Sequence, residues 1–171
     1  IMLNRVINKK FKYIIFFLPN LDGGGAEKVI IDIANSLHQR GYCIELLVSK
    51  KSGIYLDRVN KNIPIVDLQS KKVIFSIFKL FKYIKQKKPD ILFSTHLHTS
   101  FISSICIILN FFKTKLYLRE AVNPNNKYSN NILINYLRKF IFVFNLCIAN
   151  KIIIPSIEMN NDLKKEFSFI K

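Results

Sequence analysis

Three short clusters hold most of the side chains able to do chemistry. The first is Asn20-Leu-Asp-Gly-Gly-Gly25, followed by Ala26-Glu27. It puts Gly23, Gly24 and Gly25 where a helix would begin. Unpaired backbone N–H groups and the positive end of a helix dipole favour a phosphate there, and missing β-carbons let it approach. A plain tight turn would use the same glycines. The spacing is not that of a P-loop, and Lys28 stands where a dinucleotide loop needs its third glycine. The second cluster is Ser94-Thr95-His96-Leu97-His98-Thr99-Ser100. Two histidines among hydroxyls could bind a sugar, position a phosphate or carry protons near neutral pH. They could equally cap the next helix and bond backbone. Asp90 is the only carboxylate or thiol near enough in sequence to join them, so neither a metal site nor a cofactor is expected. The third is Arg119-Glu120, ahead of Asn123-Pro124-Asn125-Asn126. It reads as a hold on an anionic or hydroxylated ligand, or as an exposed ion pair.

The elements that must position these clusters alternate in period. Lys12–Pro19 is a continuous apolar run of the kind buried on both faces of a parallel sheet. From Ala26 to Arg40 the period becomes helical, with Ile30, Ile33, Ala34 and Leu37 on one face and Gly41 as the stop. Tyr42–Ser49 is the next strand, and Ile63–Leu68 a weaker third. Lys71–Lys88 reads as a helix with Val73, Ile74, Ile77, Phe78, Leu80, Phe81 and Ile84 on one face, opposite its lysines. Pro89 ends it. Strands at Ile91–Thr95, Lys115–Arg119 and Lys151–Pro155 then alternate with helices at Thr99–Phe112 and Asn130–Asn145, and a further helix starts at Ser156. Six strands alternating with helices predict an α/β fold: one domain with a doubly wound parallel sheet, Rossmann-like, in three α/β/α layers. Ligands of such sheets bind beyond the strands' carboxyl ends, where the strand order reverses. All three clusters fall at such ends.

Composition narrows the partners. Half of the 171 residues are hydrophobic, which excludes a disordered tail and supports one core. The net charge is +16, yet Lys, Asn, Ile and Phe fill 82 positions, a mixture typical of AT-rich coding. Arginine is scarce and no basic-aromatic strand motif appears, so nucleic acid is not expected as a partner. Phosphates or an anionic membrane surface remain. The basic helix, through Lys79, Lys82 and Lys85, would face such a membrane, unless it simply covers the sheet. Cys43, Cys106 and Cys147 are far apart within apolar runs and read as buried small hydrophobes in a reducing compartment. No apolar run reaches spanning length and no cleavage pattern follows the basic N-terminus, which predicts a cytoplasmic or peripheral protein.

The segment KYIIFFLPNLDGGGAEKVIIDIANSLHQRGYCIELLVS resembles the opening of retaining nucleotide-sugar glycosyltransferases of family 4, which have the GT-B fold. Gly24-Gly25-Ala26-Glu27 matches their loop. PDILFSTHLHTSFISSICIIL, LYLREAVNP and KIIIPSIEMNNDLKKEF resemble later units of the same N-terminal domain, so the resemblance runs from Lys12 to the end. It implies sugar transfer from a nucleotide diphosphate sugar to a lipid-linked or cell-envelope glycan, without a required metal. It also implies a division of the chain into an extension at 1–11 and an acceptor-side domain at 12–171, with the donor-side domain absent. Carried over by position, Gly23, Gly24 and Gly25 would approach the donor diphosphate. Glu27, His96, His98, Arg119, Glu120 and Ser156 would serve the acceptor. Arg119-Glu120 stands where many relatives place a histidine, so no catalytic residue is assigned. The alternative is a stand-alone α/β module that binds a phosphorylated ligand or an anionic membrane without chemistry.

Overall fold

The computed structural model describes residues 13–110, 113–120 and 131–166. The extension at 1–11 and the stretch Asn123-Pro124-Asn125-Asn126 lie outside the described residues. Strands β1 (Tyr13–Leu18), β2 (Cys43–Val48), β3 (Ile65–Asp67), β4 (Ile91–Thr95), β5 (Lys115–Arg119) and β6 (Lys151–Ile153) form one parallel sheet ordered β3-β2-β1-β4-β5-β6. The chain builds outward from β1 to β3, crosses back, and builds outward again from β4 to β6. The order therefore reverses between β1 and β4, paired through Ile14↔Ile91 to Phe17↔Ser94. This is the doubly wound, Rossmann-like sheet expected from the alternation of periods.

Helix α1 (Gly25–Gln39) covers one face, packing Ile30, Ile31 and Ala34 on Ile14, Phe16 and Leu18. Helices α2 (Ile77–Lys87) and α3 (Leu97–Asn110) cover the other, where Leu80, Ile84, Ile102 and Cys106 meet Ile15, Phe17, Leu92 and Leu116. Alternate residues of β1 thus feed two cores, which is why its run is apolar without interruption. Helices α4 (Ile132–Ile148) and α5 (Ile157–Glu166) share a smaller cluster of Phe142, Leu146, Met159 and Leu163. At the amino edge Glu45 gathers hydroxyl protons from Tyr13 (2.5 Å) and Tyr83 (2.9 Å), with the Lys87 ammonium 3.6 Å away. Burial, then the hydrogen bond to Glu45, raises the pKa of both phenols. This network ties the end of α2 to β1 and β2.

Several boundaries differ from the expected ones. The third and last strands shorten to three residues each. Helix α3 starts two residues early and takes in His98, while α4 runs on to Ile148 from an N-cap in which Asn131 accepts from Leu133 N at 2.9 Å. The helix expected over Lys71–Lys88 begins as a 3₁₀ turn, Val73–Ser76, and becomes α-helical only at Ile77. Leu80 and Ile84 are buried, whereas two residues of the expected apolar face are exposed: Ile74, in the 3₁₀ turn, and Phe78, which lies about 200° from Leu80 around the helix. The cysteine expectation is corrected too. Only Cys106 is buried, because Cys43 opens β2 and Cys147 lies on the outer side of α4.

This packing separates two substitutions that hydropathy alone would equate. Ile84→Ala should cost about 2–5 kcal/mol in urea denaturation, whereas Phe78→Ser should stay within about 0.5 kcal/mol of the parent. Equal losses would mean that α2 packs in a different phase.

Candidate functional site

At the crossover between β1 and β4 two loops meet. Gly24 is the extended N-cap of α1, and Glu27 sits in the first turn, buried. Its carboxylate folds back over the glycines: a β-carbon on Gly24 would lie 2.2 Å from Glu27 Oε2. A side chain on Gly24 would therefore have to displace the Glu27 carboxylate. Nothing lies near the corresponding position on Gly25, so that side of the loop is open.

From the neighbouring strand comes His96, whose Nε2 lies 3.0 Å from Glu27 Oε1. The carboxylate accepts, so Nε2–H donates. His96 holds a left-handed backbone (φ 70°), sparsely populated outside glycine although less costly for His than for most residues. Its carbonyl accepts from Ser100 N at 2.9 Å and from the Thr99 hydroxyl at 3.1 Å, starting α3. The capping role expected of these histidines is met by the His96 backbone, which starts the helix, while its ring engages Glu27. His98 stacks on it, ring centroids 5.8 Å apart, at the surface. Partial desolvation, then the neighbouring His96 and Arg138, lowers its pKa below the usual imidazole value. Asn145 of α4 steadies this turn, donating to Leu97 O at 3.4 Å and accepting from the Ser104 hydroxyl at 3.0 Å.

Arg119 and Glu120 do not form the expected ion pair. Consecutive residues at a strand end face opposite sides of the sheet. Arg119 follows Tyr117 onto the α1 face, in register with Thr95, and its Nη1 is buried without a partner among the described residues. Glu120 turns to the α3 side, only 3% exposed, beside the fully buried Ser100. Burial pushes its carboxyl up to about 7, against the lowering influence of the Ser100 hydroxyl. Ser156 lies at the start of α5, where its hydroxyl accepts from Met159 N at 3.1 Å, an N-cap. Of the three lysines expected to face a membrane, Lys79 instead donates to the carbonyls of Leu68 (2.6 Å) and Gln69 (3.1 Å), while Lys82 and Lys85 are exposed. Among the described residues no three His, Cys, Asp or Glu side chains gather as a metal site.

Sequence reasoning missed the brace beneath the glycine loop. The loop after β2 lies against it, with Leu21 N donating to Ser52 O (2.9 Å), Tyr55 N to Leu21 O (3.1 Å) and the Ser52 hydroxyl to Asp22 Oδ1 (3.0 Å). Gly53 makes this possible: its φ is +121° and a β-carbon there would sit 2.0 Å from the Leu21 carbonyl. The only signal was the turn-like string Lys51-Ser52-Gly53, with nothing to say which loop it would meet.

Fold and loops together define an α/β protein of the doubly wound class, in which the loops after β1 and β4 meet at the strand crossover. The sequence profile of Glycosyltransferase Family 4 matches residues 23–170, and the chain belongs to that family. It matches no curated protein significantly. Solved structures with the same fold include sucrose-phosphate synthase from Thermosynechococcus elongatus, at 11% identity and TM-score 0.64 over 90% of this chain and 44% of that one. MurG from Acinetobacter baumannii is 15% identical, TM-score 0.59, over 86% of this chain and 42% of that one. HepE from Anabaena, in complex with UDP and glucose, is 16% identical, TM-score 0.61, over 83% of this chain and 37% of that one. The chain thus spans less than half the length of these three structures.

Two outcomes follow from this geometry. Glu120 holds its proton in the fold up to about 7 but gives it up near 4.5 when unfolded, so stability should fall as pH rises between these values. Urea midpoints at pH 5 and pH 8 should show the parent losing on the order of 2 kcal/mol relative to Glu120→Gln. Parallel curves would place Glu120 in water. Gly53→Ala, strained in φ and blocked by Leu21, should cost about 2 kcal/mol or more in the same assay.

Proposed function

We propose that this chain is the acceptor-side domain of a retaining transferase that moves a sugar from a nucleotide diphosphate sugar to a lipid-linked or cell-envelope glycan. The observation that carries this reading is the meeting of Glu27 and His96 at the strand crossover, in a chain of glycosyltransferase family 4. Glu27 Oε2 and Arg119 Nη1 are buried polar atoms without partners among the described residues. A buried orphan asks for a ligand group. An acceptor hydroxyl suits the carboxylate, and a diphosphate suits the guanidinium.

In this reading the acceptor hydroxyl lies between Glu27 and the imidazole of His96, with His98 lining its approach. The carboxylate above Gly24 would repel a phosphate there, so the diphosphate approaches over the open side of Gly25, towards the positive end of α1. Charge developing on the leaving diphosphate is met by that dipole and by Arg119, fixed groups that need no reorganisation during the reaction. Support for a nucleotide diphosphate comes from HepE and from MnaA of S. aureus, both described as complexes with UDP. Support for an envelope glycan comes from the lipopolysaccharide outer core galactosyltransferase WaaB, which shares the fold. The donor half lies outside these 171 residues, and a lipid-linked acceptor brings the enzyme to the inner face of the cytoplasmic membrane.

In the protein that joins this domain to a donor half, Glu27→Gln should lower kcat/KM about 100-fold. His96→Asn, which accepts the left-handed backbone but has no titratable ring, should do the same, with thermal unfolding nearly unchanged. Full activity in both variants defeats the assignment. Turnover by the 171-residue chain alone defeats the division of labour.

A further inference from the structure

The outer face of α4 is apolar where a sheet-covering helix should be polar. Ile132, Leu133, Tyr136, Leu137 and Phe140 fall at i, i+1, i+4, i+5 and i+8, one continuous stripe, and all are exposed, Leu133 by 75% and Phe140 by 64%. The opposite side of the same helix is the one packed into the fold, through Phe142, Asn145 and Leu146. Across α3, the lead-in to α2 exposes Ile74, Phe75 and Phe78, the last by 82%. Between these helices lies a groove of about 230 Å³ lined by Ile74 of the second patch, by Leu97, Phe101 and Ile102 of α3, and by Arg138 and Ile141, which neighbour the stripe on α4. His98 lines it too, which places the groove one stacked ring from His96 and Glu27.

Charge decides what covers this surface. Asp90 and Glu120 are the only acidic residues between Leu68 and Ile157. Asp90 is engaged at the amino edge with Tyr13 N, and Glu120 is buried. Lys71, Lys72, Lys82 and Lys85 are exposed beside the apolar residues of α2, with Lys82 and Lys85 continuing the helical stripe of Phe78. A second copy of the chain would bring a like-charged face, against a net charge of +16 per molecule. Large apolar side chains ringed by lysines, without acids, match the headgroup and upper acyl region of an anionic bilayer.

We propose that the outer stripe of α4, with Phe75 and Phe78, docks this domain on an anionic membrane and presents the groove beside His98 to the bilayer. The proposal deepens the lipid-linked-acceptor reading and rests on it for its purpose. Its test needs no turnover, so either can fail alone.

The full chain is sedimented with vesicles of phosphatidylcholine, with or without phosphatidylglycerol, at low and high salt. The parent should bind only the phosphatidylglycerol vesicles, and more weakly at high salt. Leu133→Ser/Leu137→Ser/Phe140→Ser should bind about tenfold less. Phe75→Ser/Phe78→Ser should also weaken binding, whereas Ile54→Ser, an exposed apolar residue elsewhere, should not. Circular dichroism checks that each variant is folded, and the second variant carries the test if the first is not. Undiminished binding by the folded variants overturns the proposal. So does a parent that ignores both vesicles, whether it is monomeric or self-associates through the stripe.

Discussion

The carboxyl edge of the sheet depends on one constraint: β1 pairs in parallel with β4 as well as with β2. Because β1 is the strand from which both halves wind outward, the loop after it and the loop after β4 emerge side by side, although 69 residues separate Glu27 from His96. Their 3.0 Å contact is thus a product of topology, not of local sequence. Gly24 keeps the carboxylate's path clear, and the left-handed turn at His96 aims the ring back at it. The cost of that turn is borne by the α3 hydrogen bonds that start from the His96 carbonyl and by Asn145 behind Leu97.

The two edges of the sheet serve opposite needs. At the amino edge Glu45, Tyr13, Tyr83 and Lys87 form a closed network in which each polar group has a partner. At the carboxyl edge Glu27 Oε2, Arg119 Nη1, Ser94 and Glu120 Oε1 are buried without hydrogen-bond partners among the described residues. Buried polar groups are normally satisfied, so these atoms are open to a further hydrogen bond, as is His38 Nδ1 in the last turn of α1. Gly53 belongs to this division as well. It makes the β1 loop rigid by packing backbone against backbone, leaving the loop's outer side, at Gly25, open.

Much of the fold was legible because a strand buried on both faces and a helix buried on one have different periods, and Tyr13–Leu18 and Gly25–Gln39 show both cleanly. The order of the clusters also placed them at one edge of the sheet, since each follows a strand. Three things were hidden. The 3₁₀ turn at Val73–Ser76 rotates the start of the second helix, an outcome of how Ser76 bonds to Ser49 across the fold. The brace at Gly53 and the tether of Lys79 are contacts between loops, which periodicity does not encode. The separation of Arg119 from Glu120 did follow from strand alternation, but a ligand-holding pair reads the same in a linear string.

The chain's charge is unevenly distributed in space. The first 67 residues hold six of the 11 acids, among them Asp22, Glu27, Asp32 and Asp57 beside the α1 layer, while the layer of α2, α3 and α4 is nearly free of them. AT-rich coding would enrich lysine and isoleucine everywhere; it would not empty one layer of carboxylates or turn the apolar stripe of α4 outward. A helix that leaves five large apolar residues in water forgoes burial that its own fold could have used. Such an arrangement persists when those residues are buried elsewhere, and the sheet's crossover sets where: the same end of the layer that carries Glu27 and His96. The stripe of α4 and the loops that carry Glu27 and His96 therefore lie at the same end of the sheet as consequences of one winding pattern.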